Sequence, residues 1–180
     1  MNTPNKLTVA RMILVPFLVL FMLTGWGGDA NRYISLAIFV VASVTDWFDG
    51  KLARKYNLVT NFGKFMDPLA DKLLVCSAMI CFIELDKLPA WIVIIIIGRE
   101  FIISGFRLVA ADNDIVIAAS YWGKFKTVSQ MFMLILLIAD LGGAFNMIAQ
   151  VLIWVSLVLT IVSLIDYIAK NVQVLTQGGM

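Results

Sequence analysis

The sequence predicts an all-α integral membrane protein, a single domain over residues 1–180 built of six transmembrane helices. Three observations carry this expectation. Apolar residues fill 61% of the 180 positions and charged residues 14%, against about 45–50% and about 25% in soluble domains. A chain of this size buries only about 70% of its unfolded surface, so the apolar excess must face a solvent other than water. The apolar residues also gather into six runs of nearly bilayer-spanning length, where about 20 are needed. Finally, the basic residues segregate to alternate connections, as the positive-inside rule requires.

The first run, Thr8–Thr24, follows Lys6 and contains Arg11, in the way a signal peptide begins, yet only the turn Gly25-Trp26-Gly27-Gly28-Asp29 follows it. No small-residue cleavage pattern is present, so the helix is expected to be retained. Tyr33–Phe48 is the second run and Asp67–Ile83 the third, closed by the polar turn Glu84-Leu85-Asp86-Lys87-Leu88-Pro89. Ala90–Ala111 and Tyr121–Asp140 follow. Leu141-Gly142-Gly143 then breaks the chain before Phe145–Ile168. Six spans put both termini on one side. Placing that side in the cytoplasm puts 12 of the 14 basic residues there and leaves only Arg32 and Lys87 opposite. Trp26, Trp91 and Trp122 stand near span ends as interfacial anchors.

Composition also limits the chemistry. There is no histidine, which removes Ser–His–Asp and Cys–His nucleophiles, histidine metal sites and histidine proton relays. Cys76 and Cys81 lie five residues apart in one apolar run, about 140° around a helix, so they read as packing thiols and not as a disulfide. A net charge of +2 is too small to argue for nucleic acid.

Charged residues inside or at the lip of a span cost about 2.5–3.5 kcal/mol each at a helix centre, which makes them functional candidates. They concentrate in Thr45-Asp46-Trp47-Phe48-Asp49-Gly50 and in the stretch from Gly63 to Lys72. Asp46 and Asp49 share a helix face at the cytoplasmic end of the second span. Asp67 and Asp71 share one at the start of the third, with Gly63 on the same stripe. Pro68 either opens this helix or kinks it. Four converging carboxylates repel one another unless cations lie between them. An oxygen-only donor set selects Mg2+ or Mn2+, and a pair of divalent ions balances four carboxylates and suits displacement at phosphorus. Arg54 and the neighbouring lysines suit a diphosphate.

The run Asp46-x2-Asp49-Gly50-x2-Ala53-Arg54-x8-Gly63-x3-Asp67-x3-Asp71 resembles the signature of the CDP-alcohol phosphatidyltransferases at all eight fixed positions. The resemblance implies a six-helix membrane enzyme acting as a homodimer. It implies that Asp46 and Asp67 bridge two divalent ions and that Asp49 completes one ion's shell. Asp71 is then a ligand of the other ion and the base that takes the acceptor's hydroxyl proton. Gly50 and Arg54, and with them Thr60, would contact the CDP moiety.

The opening Pro4-Asn5-Lys6-Leu7-Thr8-Val9-Ala10-Arg11 reads by itself as a helix start with Thr8 as N-cap and a basic anchor. It also resembles the opening of bacterial phosphatidylglycerophosphate synthases within the family, where Asn5, Thr8 and Arg11 would border the nucleotide and phosphate site. The fourth span carries Arg99 and Glu100 mid-run, and Glu100, Ser104 and Arg107 form one stripe. A Glu–Arg pair locking two helices is one reading of them. A water-filled cavity with Arg107 receiving an anion near its cytoplasmic end is the other. Lys124 and Lys126 open the fifth span, where positive-inside placement alone accounts for two lysines. These runs again resemble the same subgroup. That resemblance implies a basic pocket of Arg11, Arg99, Arg107, Lys124 and Lys126 for the phosphate of sn-glycerol 3-phosphate, with CDP-diacylglycerol as donor and the bacterial inner membrane as location. Beyond Gln130 the chain reads as generic membrane helix. Two other readings stand beside this one: the same chemistry on another alcohol (inositol phosphate or serine), and a divalent-cation transporter. The clustering of the acids at one end of their spans argues against the latter.

Overall fold

The computed structural model describes residues 3–55, 61–112 and 120–172, with side chains described at 5–45, 66–110 and 120–172. Within these residues the fold is all helical. The helices are α1 (Thr3–Leu23), α2 (Asn31–Lys55), α3 (Asn61–Glu84), α4 (Ala90–Asp112), α5 (Tyr121–Ala139) and α6 (Gly143–Lys170), with a 3-10 turn at Gly28–Ala30. Each of the six apolar runs has one helix over it. Three helices are long and apolar enough to cross a membrane by length and composition: Asn5–Leu23, Tyr121–Ala139 and Gly143–Lys170. The charged candidate residues fall mostly on α2, α3 and α4, which dilutes the apolar character of those helices.

The described chain forms two compact units, Met1–Leu88 with Leu137–Asp140, and Pro89–Leu136 with Leu141–Met180. In the first, α1 packs on both α2 and α3. Its buried stripe is Asn5, Thr8, Arg11, Val15 and Leu18, a helical i, i+3, i+4 spacing that is polar at the N-terminal end and apolar beyond. Phe39 and Ala42 of α2 and Ala70, Leu74, Ala78 and Phe82 of α3 complete this core. Arg11 meets Ala42, while Phe21 and Met22 line a cavity with Asn31 and Ser35, so α1 and α2 run antiparallel. Thr8 meets Asp67 and Phe21 shares that cavity with Phe82, so α1 and α3 run parallel. The cavity, about 150 Å3, lies at the far end of this unit from Asp67. Lys87 Nζ donates to Asp140 Oδ2 there at 2.8 Å.

Two sequence expectations need correction. Thr8 is not an N-cap: α1 starts at Thr3, so Thr8 lies inside the helix and its hydroxyl is free to serve another element. The third helix starts at Asn61, well before the apolar run, and Pro68 is interior to it. Pro68 is exposed, so its ring faces away from the packed stripe and the missing N–H leaves the helix whole. At the other end α3 closes in a Schellman arrangement. Asp86 takes φ 54°, and the N–H groups of Asp86 and Lys87 donate to Ile83 O at 3.1 Å and Phe82 O at 2.9 Å.

In the second unit α4 packs on α6. Trp91 and Trp154 meet at 6.1 Å between ring centroids. Phe106 meets Tyr167 edge to face at 6.3 Å. Contacts therefore advance along both helices together, which makes α4 and α6 parallel. Ser120 reaches Asp166 and Ser156 reaches Ser129, so α5 runs against α6. The buried residues of α6 include Ser156, Thr160 and Ser163, at i, i+4, i+7, a hydroxyl stripe facing into the unit. Cys76 and Cys81 are free thiols, as their spacing requires. Trp26, Trp91 and Trp122 are all exposed, as interfacial anchors need to be.

Candidate functional site

In the first unit the site grows from the polar end of the α1 stripe. Asn5, Thr8 and Arg11 are all at least nine-tenths buried, and a helix that hides three polar side chains must offer each a partner. Thr8 Oγ1 donates to Asp67 Oδ1, which joins α1 to α3. That bond fixes the plane of the carboxylate, as outer hydrogen bonds orient carboxylates that ligate metal ions. Asp67 and Asp71 are one turn apart and both half-buried, on the side of α3 that carries buried Ala70 and Leu74. Arg11 Nε donates to Ala42 O at 3.2 Å. Helical pairing directs the N–H of position 46 to that same carbonyl, so Arg11 braces the turn of α2 on which Asp46 stands.

Asp46, Asp49, Gly50 and Arg54 belong to α2, and positions 42, 46 and 49 keep the i, i+4, i+7 register. Their side chains lie outside the described residues, and Thr60 lies outside them altogether. Among the described side chains no group of three or more acidic or thiol ligands forms. Of the four aspartates, Asp67 and Asp71 are therefore the two whose surroundings are on view. Their donor set is oxygen only, which fits a hard divalent cation.

In the second unit the chemistry reverses sign. Arg99 and Lys126 are 8% and 2% exposed, and both bind the same acid. Arg99 Nη1 lies 2.9 Å from Glu100 Oε1, and Lys126 Nζ pairs with that same oxygen. Two buried cations thus share one carboxylate oxygen, and breaking such a buried pair is costly. Arg99 Nε also donates to Ser163 Oγ of α6 at 3.1 Å. Gly123, in the first turn of α5, faces the guanidinium so closely that a Cβ there would stand 3.2 Å from Nη2.

Other predicted members are placed differently. Arg107 is exposed, although it falls four residues after buried Ile103 on the packed stripe of α4. Lys124 is exposed, with its ammonium 5.3 Å from the Tyr121 ring centroid. On the stripe of Glu100, Ser104 and Arg107, Ser104 Oγ donates to the backbone O of Glu100 at 2.5 Å, and Glu100 pairs with Arg99 and Lys126. The carboxylate thus bridges α4 to α5 through Lys126. Sequence reasoning missed Ser163. The signal for it was the hydroxyl spacing Ser156, Thr160 and Ser163 within a segment that otherwise reads as lipid-facing helix.

Residues 1–162 match the family described as CDP-alcohol phosphatidyltransferase. A Bacillus subtilis protein named CDP-diacylglycerol--glycerol-3-phosphate 3-phosphatidyltransferase is 44% identical over 97% of each chain. A Rickettsia typhi protein of the same name is 38% identical over 92% of this chain and 94% of its own length. A Mycobacterium tuberculosis protein named probable phosphatidylglycerophosphate synthase is 39% identical over 96% of this chain and 82% of its own.

Proposed function

The chain belongs to the CDP-alcohol phosphatidyltransferase family, and from that premise we propose that it transfers the phosphatidyl group of CDP-diacylglycerol to sn-glycerol 3-phosphate, forming phosphatidylglycerol phosphate and CMP. The observation that carries this reading is the similarity along nearly the whole chain to relatives whose names state that donor and that acceptor. The chain works as one six-helix domain in the bacterial inner membrane, both termini and the reacting groups on the cytoplasmic side, and as a homodimer. Twelve of its 14 basic residues agree with that orientation.

Each residue then has a task. Asp46, Asp49, Asp67 and Asp71 hold two divalent cations, Mg2+ or Mn2+, which when bound supply electrostatic stabilisation of the charge that develops on the pyrophosphate oxygens. Thr8 keeps Asp67 in one orientation, in line with the bond between them. Asn5, Gly50, Arg54 and Thr60 contact the CDP moiety: Gly50 lets the nucleotide approach backbone, and Arg54 grips a phosphate with two parallel N–H groups. Arg11, Arg99, Arg107, Lys124 and Lys126 receive the phosphate of the acceptor. The burial of Arg99 and Lys126 side by side on Glu100 supports that assignment. Asp71 takes the proton of the acceptor's hydroxyl, and the oxygen attacks the phosphorus that bears diacylglycerol, so that the bond to CMP breaks as the new ester forms. The acyl chains of the donor stay in lipid throughout.

The test is CMP release by purified protein from CDP-diacylglycerol with a panel of alcohols. Glycerol 3-phosphate should be the acceptor used, and both EDTA and Asp71→Asn should abolish release. Preference for inositol phosphate or serine would overturn the acceptor. Undiminished release with EDTA or with Asp71→Asn would overturn the mechanism.

A further inference from the structure

We propose that Ser163 of α6, together with Gly123 of α5, positions Arg99 for recognition of the acceptor's phosphate, which makes the last helix part of the acceptor selectivity. The inference rests on the function proposed above and adds two residues to it.

Two facts about Ser163 give it this role. It is fully buried, and its single hydroxyl proton is committed, because Oγ donates to Thr160 O at 3.0 Å. A hydroxyl has one proton and two lone pairs, so a Ser163 oxygen bound in this way turns a lone pair outward. Arg99 Nε takes it at 3.1 Å. The direction of the bond is thereby fixed: Ser163 accepts and the guanidinium donates.

The guanidinium is held at a second point as well. Nη1 lies 2.9 Å from Glu100 Oε1. A planar group tied at Nε and at Nη1 cannot turn about its own stem, so the direction of Nη2 is set. Nη2 is the nitrogen that faces Gly123. At the start of α5 anions are favoured, because the first N–H groups of a helix have no acceptor within it. Ser120, the residue before the helix, donates its hydroxyl proton to Asp166 at 2.8 Å. Glycine at position 123 leaves room for the fork, since even a methyl there would press on Nη2 at 3.2 Å. Arginine is chosen over lysine where a rigid fork must meet phosphate, and a fork is useful only while its orientation is kept. Ser163 holds it at Nε, and Gly123 leaves Nη2 its room.

A positioning role separates from a merely structural one by which kinetic constant moves. Ser163→Ala should raise KM for glycerol 3-phosphate roughly tenfold, the effect of losing one hydrogen bond to a charged group, with kcat and KM for CDP-diacylglycerol within about twofold of wild type. Ser163→Thr restores the acceptor oxygen and should recover most of the loss. Gly123→Ala should raise the same KM severalfold, and it carries the test if Ser163→Ala cannot be purified folded. An unchanged KM for glycerol 3-phosphate in both alanine variants would overturn the inference, as would parallel rises in both substrates' KM or no recovery with threonine. Wild-type protein that releases CMP with glycerol 3-phosphate, beside unaffected variants, defeats this inference alone. Wild-type protein that does not use glycerol 3-phosphate defeats the proposed function and this inference with it.

Discussion

The two compact units solve opposite electrostatic problems with opposite means. In the first, a carboxylate is steadied by a neutral hydroxyl: Thr8 on Asp67. In the second, two buried cations are steadied by a single carboxylate, Glu100. A neutral donor leaves the negative charge of Asp67 available to something else. A shared acid instead ties two bases to one oxygen and so joins α4 to α5. The described side chains at the first site are thus held through a neutral donor, and those at the second through a charged one. Away from both sites, Lys87 and Asp140 pair one to one at 2.8 Å, with both side chains partly exposed.

The comparison breaks first at Asp67. Asp67→Asn keeps the shape and can still accept from Thr8, but it loses the charge. The expected result is a fall in CMP release of about a thousandfold or more, with a melting temperature close to wild type. A variant retaining a tenth of the activity would show that the charge is not what the first region contributes. The second-largest effect belongs to Glu100→Gln. Removing the charge takes from buried Arg99 and Lys126 the carboxylate they share, and breaking such a pair costs about 3–5 kcal/mol where burial is complete, less here because Glu100 keeps 19% of its side chain exposed. Thermal unfolding in detergent should move down by several degrees, and saturating glycerol 3-phosphate should recover part of the loss. An unchanged transition would mean that the cations are compensated elsewhere.

A smaller change sharpens the first half of the comparison. Thr8→Val removes the hydroxyl at nearly constant volume and should lower kcat/KM about tenfold through a loosened Asp67, while Thr8→Ser should stay near wild type. Equal behaviour of the two variants would deny the hydrogen bond any role. The smallest effect is expected at the Lys87–Asp140 pair. Its side chains are 33% and 44% exposed, so Lys87→Ala should cost less than about 1 kcal/mol of stability and leave CMP release unaltered.

The first region was the more legible in sequence. Asp46, Asp49, Asp67 and Asp71 stand close together along the chain at helical spacings, so their common face follows from the 3.6-residue period alone. Helix positions were legible too, because apolar runs fix them. What escaped was any contact between distant parts of the chain. Thr8 reads locally as a cap, and only its packing on α3 turns its hydroxyl into a partner for a residue 59 positions later. Glu100 has arginines on its own helix at positions 99 and 107, and pattern alone cannot say which it binds. The choice falls to Arg99 and to Lys126, 26 residues on, because Arg107 is exposed. Ser163 sits 64 residues from Arg99, in a segment whose composition signals nothing but lipid. Periodicity reports which face of a helix is buried, and never against what.

The polar end of α1 has a further consequence, for the order in which the molecule is made. Thr8 and Arg11 leave the ribosome before the groups they meet on α3 and α2. Ala42 follows Arg11 by 31 residues and Asp67 follows Thr8 by 59. At about 5–20 residues per second the wait for Asp67 lasts roughly 3–12 s. Through that interval the buried face of the first helix lacks these two contacts. They form only when the turn bearing Ala42 and then the third helix arrive. A fully packed N-terminus therefore reports that the first three helices have come together.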